Sequence, residues 1–320
     1  MHMRSILLAL TVVGMMAAEA PEARIENGKL KAVFYLPSAE TGYYRGARFD
    51  WSGAMKSLNA QGHEYFGVWF NRYDPELHDA ITGPVEEFLT GEEALGWSSA
   101  KVGGQFVRIG VGSLLKPDDK PFQRFGRYKV VDPGKWSVTQ KKDRIVFLQD
   151  LKDNGSGYAY RYEKTVRFEG ETMWIEHKLK NTGSQSILSE TYNHNFFMID
   201  GEPSGPNLEV KFAFAAHPDR DMSAMAAKVE DSKLTYHRTL AKGESVFTEL
   251  RGFGEEAKDY DFRIENHKTR AGVRVRGDQP LSKLVFWSIP TVLSPEPYIK
   301  IDVAPGKTFH WQIRYDFYTF

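Results

Sequence analysis

The sequence predicts an all-β protein, a large antiparallel two-sheet sandwich built as one domain. Three observations carry that expectation. Apolar and polar residues alternate along most of the chain, the period of a half-buried strand. Turn signals such as Pro203-Ser204-Gly205-Pro206, Gly277-Asp278-Gln279-Pro280 and Pro305-Gly306 punctuate the runs. No Gly/Ser-rich or Pro-rich linker and no fixed repeat interrupts them, so roughly fifteen or more strands form one unbroken series, beyond the usual immunoglobulin size.

The elements follow in order. Lys29 to Leu36 is rich in β-formers, and Gln105 to Val111 alternates with period two. Trp136 to Leu148 holds two such runs split by Gln140-Lys141-Lys142-Asp143, a hairpin. Tyr158 to Leu179 reads as two strands around Glu169-Gly170-Glu171. Asn181-Thr182-Gly183-Ser184 turns the chain into a strand from Ile187 to His194. Further strands are expected at Leu208 to Phe214, Ser245 to Leu250, Asp261 to Ile264, Gly272 to Arg276, Leu284 to Ser288, Tyr298 to Val303 and Thr308 to Tyr318. Two segments look helical, Pro75 to Ala80 and Asp221 to Asp231.

The N-terminus reads as an export signal. Arg4 is followed by the apolar run Ser5 to Met16, then by Ala18-Glu19-Ala20, which has small residues where a signal peptidase reads. Cleavage after Ala20 would leave residues 21–320 as a single domain, periplasmic or secreted. The apolar run is shorter than the ~20 residues of a membrane span. The 42 basic residues balance the 42 acidic ones, so no net field draws the chain to nucleic acid or a membrane surface. With no cysteine there is neither a disulfide nor thiolate chemistry. The 7 Trp, 15 Tyr and 21 Phe supply a β core and flat platforms on which sugar rings stack.

Three tracts carry candidate chemistry. In Ser189 to Phe197, His194 stands between Asn193 and Asn195 and before two aromatics. Imidazole exchanges protons near neutral pH, the amides suit hydroxyl groups or the imidazole tautomer, and the aromatics give an apolar wall. The loop tract Phe70 to Phe88 is dense in functional side chains: Arg72, His78 and the adjacent Glu86 and Glu87. Near the C-terminus Glu296 is bracketed by Pro295 and Pro297, which fix the local backbone and with it the direction of the carboxylate. His194, Glu296 and the Arg72/His78 tract together form a candidate acid/base site. No His-x-x-x-His pair, Ser nucleophile elbow or phosphate loop is present, so no metal or cofactor is expected.

Asn193-His194-Asn195-Phe196-Phe197 resembles the Asn-His-x-Tyr-Phe signature of the galactose mutarotase, or aldose 1-epimerase, superfamily. Glu296-Pro297, followed by the Pro305-Gly306 turn and a final strand, is similar to that family's C-terminal order. The resemblance implies a β-supersandwich, with His194 ending a strand on a concave face as general acid and Glu296 in a short loop as general base. It implies that Arg72 and His78, with Glu87 and Asn193, hold sugar hydroxyls, and that Trp69 or Phe197 stacks on the ring of a mono- or oligosaccharide. The family's His-Gly-Gly tract and its Gln and Pro-Asp segment after the catalytic Glu are not found here. Tyr43 to Trp51 and Gly83 to Phe88 look like an exported bacterial subgroup. Two alternatives stand beside anomer interconversion. One is a non-catalytic carbohydrate-binding sandwich; the other is a lyase on the same fold, with Arg45, Arg48 or Arg72 neutralising the carboxylate of an acidic glycan.

Overall fold

In the computed structural model, which describes residues 19–320, two large antiparallel sheets face each other across the main hydrophobic core. The apolar run expected as an export signal lies outside the described residues. One sheet has ten strands. From edge to edge they are Ala227–Glu230, Lys233–Tyr236, Leu208–Phe212, Asp261–Asn266, Ala271–Gly277, Thr308–Thr319, Thr172–Asn181, Tyr160–Glu169, Arg144–Leu151 and Lys135–Gln140. The other has six: His217–Pro218, Val246–Arg251, Lys283–Ile289, Val292–Val303, Ile187–His194 and Val85–Leu89. A four-stranded sheet (Glu22–Glu26, Leu30–Tyr35, Met55–Ala60, His63–Glu64) and a three-stranded one (Gln105–Arg108, Gly112–Leu115, Val130–Asp132) add to the sandwich. The protein is thus all-β, as the alternation predicts, with two short 3₁₀ turns and no α-helix among the described residues. Among the described residues, no helix is long and apolar enough to cross a membrane.

The alternation explains the core. Along Arg144–Leu151 every second residue, Ile145, Phe147, Gln149 and Leu151, is buried. Ile299, Ile301 and Val303 from the six-stranded sheet meet Ile175, Ile313 and Val273 from the ten-stranded one in a single cluster. Burying this apolar surface is the main force holding the sheets together. A second cluster, including Tyr44, Phe49, Trp51, Trp69 and Phe196, gathers loop residues.

Both expected helices are absent. Pro75 to Ala80 forms consecutive turns closed by the Leu77 and Ala80 amides on the carbonyls of Asp74 and Leu77. Six residues are too few to sustain a helical nucleus. In Asp221 to Asp231, Ala227-Lys228-Val229-Glu230 alternates and pairs with Lys233–Tyr236. Asp231, with φ of 52°, supplies the left-handed turn residue that makes a hairpin of the segment.

Glu296 also differs from expectation. It lies inside the Val292–Val303 strand, not in a loop. Prolines are tolerated there because the ladder to the neighbouring strand runs from Ile187↔Val303 to Tyr192↔Tyr298 and then parts. The strands rejoin at Phe197↔Leu293. Asn195 bridges the gap. Its Nδ2 donates to the Pro295 carbonyl at 2.7 Å, and its backbone amide donates to Ser294 Oγ at 2.9 Å.

Candidate active site

Register brings the site together. Tyr192 pairs with Tyr298 in antiparallel strands, so two residues further along His194 comes opposite Glu296. The side-chain period of two places Tyr192, His194, Glu296 and Tyr298 on one face of the six-stranded sheet. On the next strand, Lys283, Val285 and Trp287 face the same way, followed by Phe247 and Glu249 at the far side. Loops close over this face and leave a cavity of about 390 Å³. From the loops come Arg48, Trp69, His78, Arg124 and Phe125.

His194 Nε2 lies 3.1 Å from Glu296 Oε1, and both residues are about 95% buried. The imidazole stacks on Phe196 at 3.6 Å and meets the rings of Trp287 and Phe49 edge-on. Its Nδ1 has no hydrogen-bond partner. Phe196 reaches the stacking position from a left-handed backbone, with φ of 46°. Burial raises the Glu296 carboxyl to about 8, against the pull of Arg48 and Arg124. Burial pushes the His194 imidazole well below its ordinary value, and the Arg48 charge acts in the same direction. At neutral pH the pair therefore carries one exchangeable proton, resting on Glu296 beside a neutral imidazole. That is the opposite resting assignment to the one implied by resemblance.

Beside the pair stands a buried ionic knot. Glu87, with no exposed side-chain surface, binds Arg48 Nε at 2.8 Å, Arg108 Nη2 at 2.8 Å and Arg124 Nη2 at 2.8 Å. It also accepts the Tyr192 hydroxyl at 2.5 Å. Burial alone would raise this carboxyl; Arg48, Arg124 and Arg108 overcome it and hold it well below the usual range. Arg48 is further held between the rings of Phe49 and Phe125, 4.3 and 4.6 Å from their centres.

Of the residues singled out in the sequence, His194, Glu296, His78 and Trp69 line the cavity. Trp69 stacks on Phe196 at 4.8 Å, and its indole nitrogen donates to the Ile81 carbonyl. His78 lies against Phe125. The other four do not line it. Arg72 is exposed outside it. Glu87 is sealed behind Arg48 and Arg124. Asn193 points to the opposite face of its strand, because adjacent residues alternate, and donates to Glu86 at 3.0 Å. Phe197 packs into the main core against Phe66. Neither flanking amide hydrogen-bonds to the imidazole.

Arg48 appeared in the sequence only as a candidate for the lyase alternative, and its tract had no assigned role. Arg124, Phe125 and Lys283 went unnoticed, since nothing local separates them from ordinary surface residues. Away from the cavity, Glu209, Glu265 and His267 approach one another closely enough to hold a metal ion. Lys211 Nζ already lies 2.9 and 2.7 Å from the two carboxylates.

No protein-family model matches the chain, and no curated protein is found as a relative. Solved structures do match. The Slr1438 protein from Synechocystis superposes with a TM-score of 0.59 at 14% identity, over 97% of this chain and 100% of that one. A galactose mutarotase-like protein from Clostridium acetobutylicum gives 0.58 at 12% identity, over 96% and 97%. A putative aldose 1-epimerase from Escherichia coli K12 gives 0.55 at 12% identity, over 94% and 99%. The chain has the galactose mutarotase-like fold.

Proposed function

We propose that this protein interconverts the anomers of a sugar by acid/base catalysis at His194 and Glu296. One observation carries the reading: an imidazole and a carboxyl group 3.1 Å apart at the wall of a cavity that also presents aromatic rings. The likeness of fold to aldose 1-epimerase-like structures supports a sugar as the substrate.

Mutarotation requires one proton to leave the anomeric hydroxyl and another to reach the ring oxygen. These two oxygens are bonded to the same carbon, so two catalytic groups already side by side suit them. In ring opening, neutral His194 takes the O1 proton through Nε2 as the C1–O5 bond breaks, and Glu296 delivers its proton to O5. The C1–C2 bond of the open aldehyde then rotates. On closure the imidazolium returns a proton to O1 while the Glu296 carboxylate recovers one from O5. Each group is an acid in one half of the cycle and a base in the other. The assignment of His194 as acid and Glu296 as base is thus the closing half of the same cycle. The mechanism invokes no cofactor.

His194→Ala and Glu296→Gln are each expected to slow anomer interconversion by ~10²–10⁴-fold, the usual worth of a positioned proton-transfer group. Polarimetry, or exchange between anomeric NMR signals, reads the rate across a panel of pure α-anomers. Undiminished rates in both variants would overturn the assignment, and sugar binding without turnover in the parent protein would leave a binding module. We further propose that residues 1–20 direct export and are removed. N-terminal sequencing of the mature protein should begin at Pro21.

A further inference from the structure

We propose that the sugar taken by this cavity is anionic, bearing a carboxylate or a phosphate ester that Arg48 and Arg124 receive. The inference rests on the epimerase reading only for the identity of the ligand as a sugar; the charge argument is independent of it.

Three guanidinium groups surround one carboxylate. Arg48, Arg108 and Arg124 all bind Glu87, which can neutralise only one of them. Arg108 has 1% of its side chain exposed, Arg48 10% and Arg124 32%, so bulk water reaches the excess charge poorly at Arg108 and Arg48 and only in part at Arg124. A buried cation without a counter-charge is costly, and an anion in contact with it removes that cost. Glu296, one of the carboxyls at this wall, is held protonated near neutral pH.

The donors are also disposed for a ligand. Arg48 uses Nε for Glu87 and Nη2 for Tyr192; Arg124 uses Nε and Nη2 for Glu87 and the tyrosine hydroxyls. Among the described residues, neither Nη1 has a hydrogen-bond partner, and both arginines line the cavity. Glu87 and the flanking rings of Phe49 and Phe125 hold the guanidinium of Arg48 in place, so little side-chain entropy is lost on binding. Two planar donor groups fixed side by side suit the paired oxygens of a carboxylate or a phosphate. Lys283, with Nζ 3.9 Å from the centre of the Tyr298 ring, adds a further cation to the lining. Acidic side chains also line the cavity, Asp79 and Glu249, but neither is bonded to Arg48 or Arg124.

The test measures binding and turnover separately. Calorimetric titration of the intact protein uses galacturonate and glucuronate, the corresponding neutral hexoses, the uronate methyl esters and hexose 6-phosphates. The expected result is at least tenfold tighter binding of one anionic class than of its neutral counterpart, weakening with added salt. Arg124→Gln should remove most of that preference, with the thermal transition monitored to confirm folding. Arg48→Lys, which keeps the charge but loses the planar fork, should retain part of it. The uronate and phosphate arms decide which anion is meant. Equal affinity for neutral and anionic sugars overturns the inference while leaving the epimerase reading intact. Anion-selective binding without anomer exchange supports the inference and overturns the epimerase reading. Formation of an ultraviolet-absorbing unsaturated product from an acidic oligosaccharide would do the same.

Discussion

At the scale of single residues, burial decides the chemistry of the His194–Glu296 pair. A solvated glutamate at pH 7 is ionised, whereas Glu296, enclosed by the sheet and the loops above it, holds its proton up to about pH 8. The consequence for activity is a fall in kcat/KM above about pH 8, when the pair loses its shared proton. A second fall is expected at acid pH, below the ordinary histidine range, as the imidazole charges. Initial rates across a pH series read both limbs. Stability should respond in a definite direction as well. Because the folded-state pKa of Glu296 is raised from 4.5, its contribution is fully present below about pH 4.5 and is lost as pH rises through about 8. Glu296→Gln should abolish this component. In urea unfolding, the difference between variant and parent should shift in the variant's favour between pH 5 and pH 9. An unchanged difference would show that Glu296 is ionised throughout.

At the scale of elements, the two-residue period of a strand sorts one short tract into two functions. His194 faces the cavity and Tyr192, on the same side of the strand, meets Arg48, Arg124 and Glu87 beneath it, while Thr191 and Asn193 face inward, where Asn193 meets Glu86. The same division separates Glu86 from Glu87 on the neighbouring strand, which pairs Asn193 with Glu86 and Tyr192 with Glu87. The paired carboxylates were conspicuous in the sequence, but only pairing could assign one to each side. Entry into that strand depends on Gly83. A Cβ there would lie 2.2 Å from the Asn195 carbonyl oxygen and 2.9 Å from Phe196 Cβ. Gly83→Ala must therefore push the Val85–Leu89 strand away from the segment that carries His194. A loss of ~1–3 kcal/mol is expected, as for other overpacked positions, together with a lowered anomer-exchange rate. Denaturant midpoints and polarimetry check the two effects, and an unaltered midpoint would contradict the close approach.

At the scale of the whole molecule, the sandwich buries charge as well as hydrocarbon. Lys164, on the ten-stranded sheet, spans the core to ion-pair with Asp50 at 2.7 Å and with Glu86, which also contacts His177 Nε2 at 2.7 Å. Lys164, Asp50 and Glu86 have almost no exposed side-chain surface. This cluster links the sheet that carries the site to the sheet behind it. Lys164→Met would leave two carboxylates buried near each other without their cation. It should cost ~3–5 kcal/mol, the range for breaking a buried pair by removing one partner, read as a lowered urea midpoint. Loss of less than about 1 kcal/mol would mean that water reaches the cluster.

How much of this was legible depends on the range over which each signal acts. Alternation, turn residues and strand order are local properties of the chain, and they were enough for an all-β fold and for most strand positions. They failed where local preferences conflicted, as in Asp221 to Asp231, where helix-favouring alanines run into an alternating hairpin. His194 and Glu296 stood out because of their neighbours, Asn193, Asn195 and the two prolines. The neighbours proved to be structural: Asn195 and the prolines shape the gap between the two strands. Arg48, Arg124 and the excess of positive charge around Glu87 had no local signature at all. They converge through strand register and loop closure over distances in sequence that no short motif spans. The sequence by itself thus determined the all-β architecture and singled out His194 and Glu296, two side chains that the fold brings within 3.1 Å of each other. Only the tertiary structure decided which side chains share their face, where the shared proton rests and how much charge surrounds it, because burial and field depend on what the folded chain places nearby.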